Sequence, residues 1–319
     1  MKAAFRPKYC SPESVQIKEL EIPTPKHNEV LIRVHAASVN RTDCHILTGK
    51  PYIMRLFMGF PNPKSPVTGS DFAGQIEATG KEVSSFKVGD KVMGFGGGFG
   101  TGSHAQFHTF REAKGIVLMP HNITYEQAAA CLEGAYYAAA GISTLHLQAG
   151  QKALVYGATG AIGSAYVQYL KYYGVYTTAV CPGAQRELMR SLGADKVIDY
   201  TKEDFTKDTE RYDFIFDAVG KSSFLKCKHL LKKKGMFFPS NGMENLLLVP
   251  ITRLLGGKKV AFAFPRNFNA ALYFIKDLLE KGRFTPVIDR IYPLDKIAEA
   301  YTYVASGKKI GNVIIKMEA

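Results

Sequence analysis

No window of about 20 uncharged apolar residues occurs in this 319-residue chain, which excludes a membrane-spanning helix from the reading of its sequence. Cysteine is sparse and scattered. Cys10, Cys44, Cys131, Cys181 and Cys227 form no CxxC pair, which argues against a disulfide frame and against a structural zinc knuckle. The opening "MKAAFRPKYCSPESVQ" has no apolar core of about 7–15 residues, so no export signal is expected and the chain is read as cytoplasmic, with no membrane partner. Internal repeats and low-complexity linkers are also missing, and the glycine-rich "FGGGFGTG" is too short to separate two domains.

What is present is length for two domains and a formal charge of +13. The cations are spread along the chain. Their densest run, "KHLLKKKG" near Lys232, reads as a helix ending in charges that suit its negative pole. Nucleic acid is therefore not expected, and an anionic cofactor would be equally well served by the excess.

Residues before about 120 read as strands between Gly/Pro turns: "EVLIRVHAASV" alternates, "PVTGSDFAGQIEATG" follows, and "VGDKVMGFGGGFGTGSHAQFHTF" is punctuated by glycine. This pattern predicts a small, strongly bent β-barrel. From Gln151 strand and helix alternate. "KALVYG" leads to "AIGSAYVQYLKYYG", "VYTTAVC" to "AQRELMRSLGA", and "KVIDY" and "YDFIFDAVG" are buried strands, with "SSFLKCKHLLKKKG" and "MFFPSNG" after them. Such alternation predicts parallel strands with helical crossovers, an α/β doubly wound sheet. The tail adds two helical stretches and a last strand, "GNVIIKM".

Within "KALVYGATGAIGSAYVQYLKYYG" three glycines, Gly157, Gly160 and Gly163, separate the apolar strand from a helix on which Ile162, Tyr166 and Leu170 share a face. A helix starting there aims free N–H groups and about half a positive charge at its guest, and a pyrophosphate is the natural one. Gly157 and Gly160 would let the backbone turn and approach the ligand, and Gly163 would let helix and strand touch. The bland alternative is a turn whose glycines serve packing alone. NAD sites place an acid about 20 residues after the first glycine. Here "TTAVCPGAQRE" has none before Glu187, and Arg186 stands near enough in sequence to pair with a 2′-phosphate, so NADPH is expected over NADH.

With the barrel first, the nucleotide unit second and the last strands returning to the barrel, the chain resembles the medium-chain dehydrogenase/reductase superfamily over its whole length. "HNEVLIRVHAASVNRTDCHILTG", "FKVGDKVMGF", "GATGAIG", "RSLGADKVIDY" and "YDFIFDAVG" carry the resemblance, which is nearest to the zinc-free quinone oxidoreductase (zeta-crystallin-like) branch. It implies a GroES-like bent β-barrel catalytic domain at 1–122, completed by 266–319, and a Rossmann dinucleotide-binding domain at 123–265. Zinc-dependent relatives place their catalytic ligands at positions that fall on Asn40, Ser70 and near Glu133, and none of these is a standard ligand, so no metal is expected. Cys44, His45, Asp71 and Glu133 remain as an improvised alternative. Without a metal to hold charge on oxygen, the acceptor is expected to be a quinone or an α,β-unsaturated carbonyl, with catalysis by orientation in a dry cleft.

By the same resemblance Asn40 faces the nicotinamide end of the cleft, and the Thr42 hydroxyl reaches cofactor or substrate. His45 either donates a proton or shapes the pocket, against the plainer reading of a satisfied or exposed histidine; His104 is a lesser candidate, and Asp43 is structural. Cofactor contacts are expected from Gly157, Ala158, Thr159, Gly160, Ala161, Ile162 and Gly163, with Cys181 and Arg186 after the second strand, Tyr200 beside the 2′-phosphate, and Val219, Gly220 and Ser240 at the nicotinamide ribose. In "PYIMRLFMGFPNPKSP", Tyr52, Phe57 and Phe60 either line a pocket for a flat ring or fix the loop. The strand "KVAFAF", near Val260 to Phe264, is expected to join two copies in a homodimer. Two other readings stay open: a zinc-type alcohol dehydrogenase with substituted ligands, and a non-catalytic NADPH-binding protein of the lens-crystallin kind.

Overall fold

The computed structural model describes residues 1–97, 100–262 and 267–318. The chain divides into two compact units, one of Met1–Glu133, Asn267–Glu280 and Pro286–Ala319, the other of Gly134–Arg266 and Lys281–Thr285. Among the described residues no helix is long and apolar enough to cross a membrane.

The first unit is organised by one strand. Glu29–Val39 alternates apolar and polar side chains and pairs antiparallel with Asp71–Thr79 on one edge. Its other edge takes Phe107–Arg111 along residues 29–33 and then Asn312–Lys316 along 36–39. Two register shifts, at Leu31/Ile32 and Val34/Ala36, bend it so that it can serve three partners. Lys91–Phe95, Ile116–Leu118 and Ile288–Pro293 complete a seven-stranded sheet. The core it covers includes Ile32, Leu47, Phe72, Val92 and Ile315, together with Ile297 and Tyr301 from the helix Ile297–Ala305.

The second unit is an all-parallel, six-stranded sheet in the order Lys196–Asp199, Tyr176–Cys181, Lys152–Tyr156, Tyr212–Asp217, Leu231–Pro239, Lys259–Val260. This is the dinucleotide-binding order, in which the chain reverses direction beside its first strand. Every strand contributes to a common buried cluster: Ile198, Val180, Leu154, Tyr212 and Ile215, Leu231 and Phe237, and Val260. Strands covered on both faces need such continuous apolar runs.

The lysine run differs from its sequence reading. The helix Phe224–Cys227 and a single 3₁₀ turn end at Leu230, and Leu231 already opens a strand, so Lys232, Lys233 and Lys234 stand on that strand rather than at a helix end. The parallel ladder skips from Leu231 opposite Tyr212 to Met236 opposite Phe214, leaving the lysines in a bulge. Burial of Leu230, Leu231 and Phe237 in the sheet core outweighs the local helical pattern, and Lys232 Nζ instead pairs with Asp213 at 2.7 Å. Of the expected dimer strand, Lys259–Val260 is formed; Ala263 and Phe264 lie outside the described residues.

Candidate functional site

The glycine-rich strand–turn–helix forms as its sequence predicts. Tyr156 ends the first strand of the sheet, and Gly157 turns the chain with φ +78°, a conformation that side-chain-bearing residues rarely adopt. The N–H groups of Gly157 and Ala158 donate to the Val180 carbonyl at 3.1 and 3.3 Å, which anchors the loop to the neighbouring strand. Gly160 then begins the helix Ala161–Tyr172 in extended geometry, and no side chain caps it. The first-turn N–H groups of Ala161, Ile162 and Gly163 therefore have no partner within the helix. At Gly163 a β-carbon would meet backbone, 2.7 Å from Ala158 Cα, whereas one at Gly160 would find its nearest neighbour 3.6 Å away. The two positions do different work: Gly163 allows strand and helix to touch, and Gly160 leaves space open at the positive pole.

Val219 and Gly220 are brought to this cradle. A β-carbon on Gly157 would crowd Val219, with Cγ2 at 3.1 Å, and one on Gly220 would run into the Asn241 amide, next to Ser240. Their loop is held by Asp217, which the sequence reading passed over. Its buried carboxylate accepts from the N–H groups of Val219 (3.1 Å), Gly220 (2.7 Å) and Ser222 (2.8 Å). Burial still pushes its pKa above the ordinary carboxylate value, against the pull of those donors. An acid closing the apolar run "YDFIFD" was the available signal.

Near the second strand, Cys181 is fully buried, and burial followed by the Asp199 charge pushes its thiol up to about 11. Its carbonyl accepts the Tyr200 N–H at 3.4 Å, and the exposed Tyr200 ring stands edge-on to Tyr156 with centroids 6.3 Å apart. A cavity lined by Tyr156, Tyr200, Thr201, Lys202, Glu203, Asp204 and Phe205 opens beside them. Arg186 begins the next helix half-buried and, among the described residues, without an ion pair. These features fit a dinucleotide with an extra phosphate: a positive helix pole, room for a backbone-tight ligand, an aromatic wall and a free guanidinium.

In the first unit the helix Arg41–Thr48 carries the catalytic candidates. Asn40 precedes it, buried, with its N–H donating to Asp43 Oδ2 at 2.8 Å. Its side-chain amide donates to Ser38 Oγ and, at 3.2 Å, to Asp71 Oδ2. Asp71 also accepts from the Ser38 N–H at 2.7 Å and from the Ser38 hydroxyl. Thr42 is half-buried, and its side chain acts to lower the Glu133 pKa against the larger effect of burial. Burial pushes Asp71 up to about 7; burial and then the Asp71 charge push Asp43 up to about 8; burial and the Asp43 charge raise Glu133 well above the ordinary range. Lys309 is lowered to about 8 by burial, with Glu133 opposing the fall. This concentration of buried acids was legible only in part, because Asp43, Asp71 and Glu133 are far apart in sequence. Among the described residues no three His, Cys, Asp or Glu side chains are grouped to share a metal ion.

His45 is exposed, its Nδ1 3.1 Å from the Lys50 carbonyl. His104 is fully buried: Nε2–H donates to the Ser38 carbonyl at 2.9 Å, which leaves Nδ1 to accept from the Thr68 hydroxyl at 2.9 Å. Burial lowers its pKa to about 4, so it is a neutral structural link. Tyr52 and Phe57, on the short helical segments after Pro51, and Phe60, in the bend that follows them, are 66%, 59% and 76% exposed, and Tyr52 stacks under the Arg55 guanidinium at 4.8 Å.

Comparison with known proteins places this architecture. The family model for the alcohol dehydrogenase GroES-like domain matches residues 26–121, and that for the zinc-binding dehydrogenase matches 192–315. The chain belongs to the medium-chain dehydrogenase/reductase superfamily, on its zinc-free, quinone oxidoreductase-like side. It is 31% identical to the 2-methylene-furan-3-one reductase of Solanum lycopersicum, over 96% of this chain and 77% of that one. With the chloroplastic NADPH-dependent alkenal/one oxidoreductase of Arabidopsis thaliana it shares 30%, over 96% and 78%. In fold it resembles the quinone oxidoreductase of Coxiella burnetii (TM-score 0.90, 21% identity, 100% and 99% covered). The Escherichia coli quinone oxidoreductase complexed with NADPH is similar too (TM-score 0.83, 21%, 99% and 100%).

Proposed function

We propose that the chain is an NADPH-dependent reductase of quinones and α,β-unsaturated carbonyls that works without a metal. The observation that carries this is the uncapped helix start at Gly160 with open space above it, combined with kinship to enone and quinone reductases. Bound there, NADPH supplies the hydride. The chain's own residues do the rest. Thr159 and the first-turn N–H groups of Ala161, Ile162 and Gly163 bind the diphosphate, whereas Ala158, expected to share in this, is fully buried with its N–H on Val180 and shapes the loop instead; Arg186 and Tyr200 take the 2′-phosphate side next to Cys181. Val219, Gly220 and Ser240 orient the nicotinamide ribose, held by Asp217.

In this reading the GroES-like catalytic domain, 1–122 with 266–319, supplies the substrate side. Asn40 is a positioning residue, locked by Ser38 and Asp71. Thr42 and His45 offer hydroxyl and imidazole to the acceptor, and Tyr52, Phe57 and Phe60 offer flat apolar surface. Conjugation in the acceptor spreads the developing negative charge, so no cation is needed opposite it. The protein is further proposed to be a cytoplasmic homodimer paired through residues 260–264, which light scattering checks. Titration with NADPH and NADH, followed by a quinone and enone screen, tests the function. NADPH binding without turnover of any acceptor would refute it.

A further inference from the structure

The segment from Pro51 to Phe60, which carries the apolar acceptor wall of the reading above, has little core of its own. Of its residues only Met58 is buried. No acid occurs from Cys44 to Ser70, so ion pairs within the segment cannot hold it either. Its link to the neighbouring helix is one guanidinium. Arg55 Nε donates to the Gly49 carbonyl at 3.1 Å and Nη2 to the Thr48 carbonyl at 3.3 Å, at the negative end of the helix Arg41–Thr48, where carbonyls lack partners within the helix. The same group lies 4.4 Å from the centre of the Tyr9 ring and 4.8 Å from that of Tyr52.

Tyr9 closes the clasp. Its hydroxyl donates to the Gly59 carbonyl at 2.6 Å, just past the short helix Arg55–Met58. The buried Arg6 side chain stands 5.2 Å from the same ring, and its backbone N–H donates to the Pro66 carbonyl at 2.7 Å. The fit is close. A β-carbon on Gly49 would stand 2.6 Å from Tyr9 Cδ1 and 2.7 Å from Arg55 Nε, so glycine, at φ +61°, is what lets the two side chains meet there. His45 is tied to the same joint, with its Nδ1 3.1 Å from the Lys50 carbonyl and its own carbonyl accepting the Lys50 N–H at 3.3 Å.

We propose that Arg55 is a positioning residue for the acceptor: it fixes the wall of Tyr52, Phe57 and Phe60 against the helix that carries Thr42 and His45. The inference rests on the proposed reductase, in which wall and helix both serve the acceptor. An arginine kept for stability alone would be expected to pair with an acid, and among the described residues Arg55 makes no ion pair. Nor is it suited to grip an anionic acceptor itself, because Nε and Nη2 are already engaged by carbonyls and its planar face by tyrosine rings. Lysine could not replace it in full, since an ammonium is a point charge without the fork that reaches two carbonyls at once. Because the wall is outside the sheet core, releasing it frees a surface segment and leaves the fold intact. The loss then falls on placement of the acceptor.

The test compares the whole wild-type protein with Arg55→Met and Arg55→Lys in two measurements: kinetics with 1,4-naphthoquinone at saturating NADPH, and hydrogen exchange of residues 51–64. In Arg55→Met, exchange is expected to quicken about tenfold or more and KM for the quinone to rise about tenfold, with kcat, NADPH affinity and Tm nearly unchanged. Arg55→Lys, which keeps the charge and one carbonyl bond, is expected to fall between. Unchanged exchange in Arg55→Met would overturn the proposal, and so would faster exchange with an unchanged KM. A fall of Tm and NADPH affinity together with the rise in KM would overturn it too, as the mark of a merely structural arginine. A wild-type protein that reduces no quinone or enone would refute the reductase instead, and exchange alone would then judge the clasp.

Discussion

The three cradle glycines are separable by experiment, because an added methyl group meets something different at each. In Gly163→Ala the new carbon stands 2.7 Å from Ala158 Cα and 2.9 Å from Gly157 C, both backbone atoms that cannot rotate away. Overpacking of this kind costs about 1–3 kcal/mol or more. In Gly157→Ala the residue must hold φ +78°, a left-handed strain of about 1–2 kcal/mol, and must also push Val219 aside. In Gly160→Ala φ is −73° and the nearest atom is 3.6 Å away, so folding is unaffected or gains about 0.4–1 kcal/mol from a less flexible unfolded chain. The methyl group then projects into the space assigned to the diphosphate, and NADPH affinity is expected to fall about tenfold or more, roughly 1.4 kcal/mol. Thermal denaturation and NADPH titration of the three variants read both quantities, at about 2–4 °C per kcal/mol for a domain of 150–250 residues. A Gly160→Ala protein that keeps wild-type affinity, or a Gly163→Ala protein that keeps wild-type stability, would refute the assignment of approach to one glycine and contact to the other.

Arg186→Ala is expected to weaken NADPH by about 10–100-fold while leaving NADH nearly unchanged, as measured by fluorescence titration, since a charge-assisted hydrogen bond contributes about 1.5–3 kcal/mol. Asp217→Ala leaves three loop N–H groups without their acceptor and is expected to lower both stability and cofactor affinity; equal NADPH affinity would show that the loop holds its shape without it. His104 and His108 are both pushed down to about 4 by burial, from 6.5. Their unfolded forms bind more protons than the folded ones between those values, so stability is full above about 6.5 and is lost as the pH falls toward 4, by up to about 3 kcal/mol for each. Urea denaturation from pH 7 to 4 checks this, and the slope should be reduced in His104→Gln.

The parts of this protein that were legible in sequence are those fixed by short-range sterics. An apolar strand, a glycine that must turn left-handed and a helix that must touch the strand lie within twelve residues, so "VYGATGAIG" announces the cradle on its own. The βα alternation likewise gave the parallel sheet. What stayed hidden is set by partners remote in the chain. The helical periodicity of "KHLLKKKG" lost to pairing of Leu231 with Tyr212, and Asp217 looked like the end of a strand until its three amide donors were in view. The acids Asp43, Asp71 and Glu133 gather only when the sheet folds, and His104, a candidate for chemistry, is committed to Thr68 and Ser38.

The long bent strand Glu29–Val39 also orders events in time. Every strand of the nucleotide unit has been synthesised by residue 260, and all its ladders join segments made within about a hundred residues of one another. Residues 36–39, by contrast, wait for Asn312–Lys316, synthesised more than 270 positions later. A nascent chain of this architecture thus carries a half-paired, apolar ribbon for most of its translation, open to mispairing until its last partner is made.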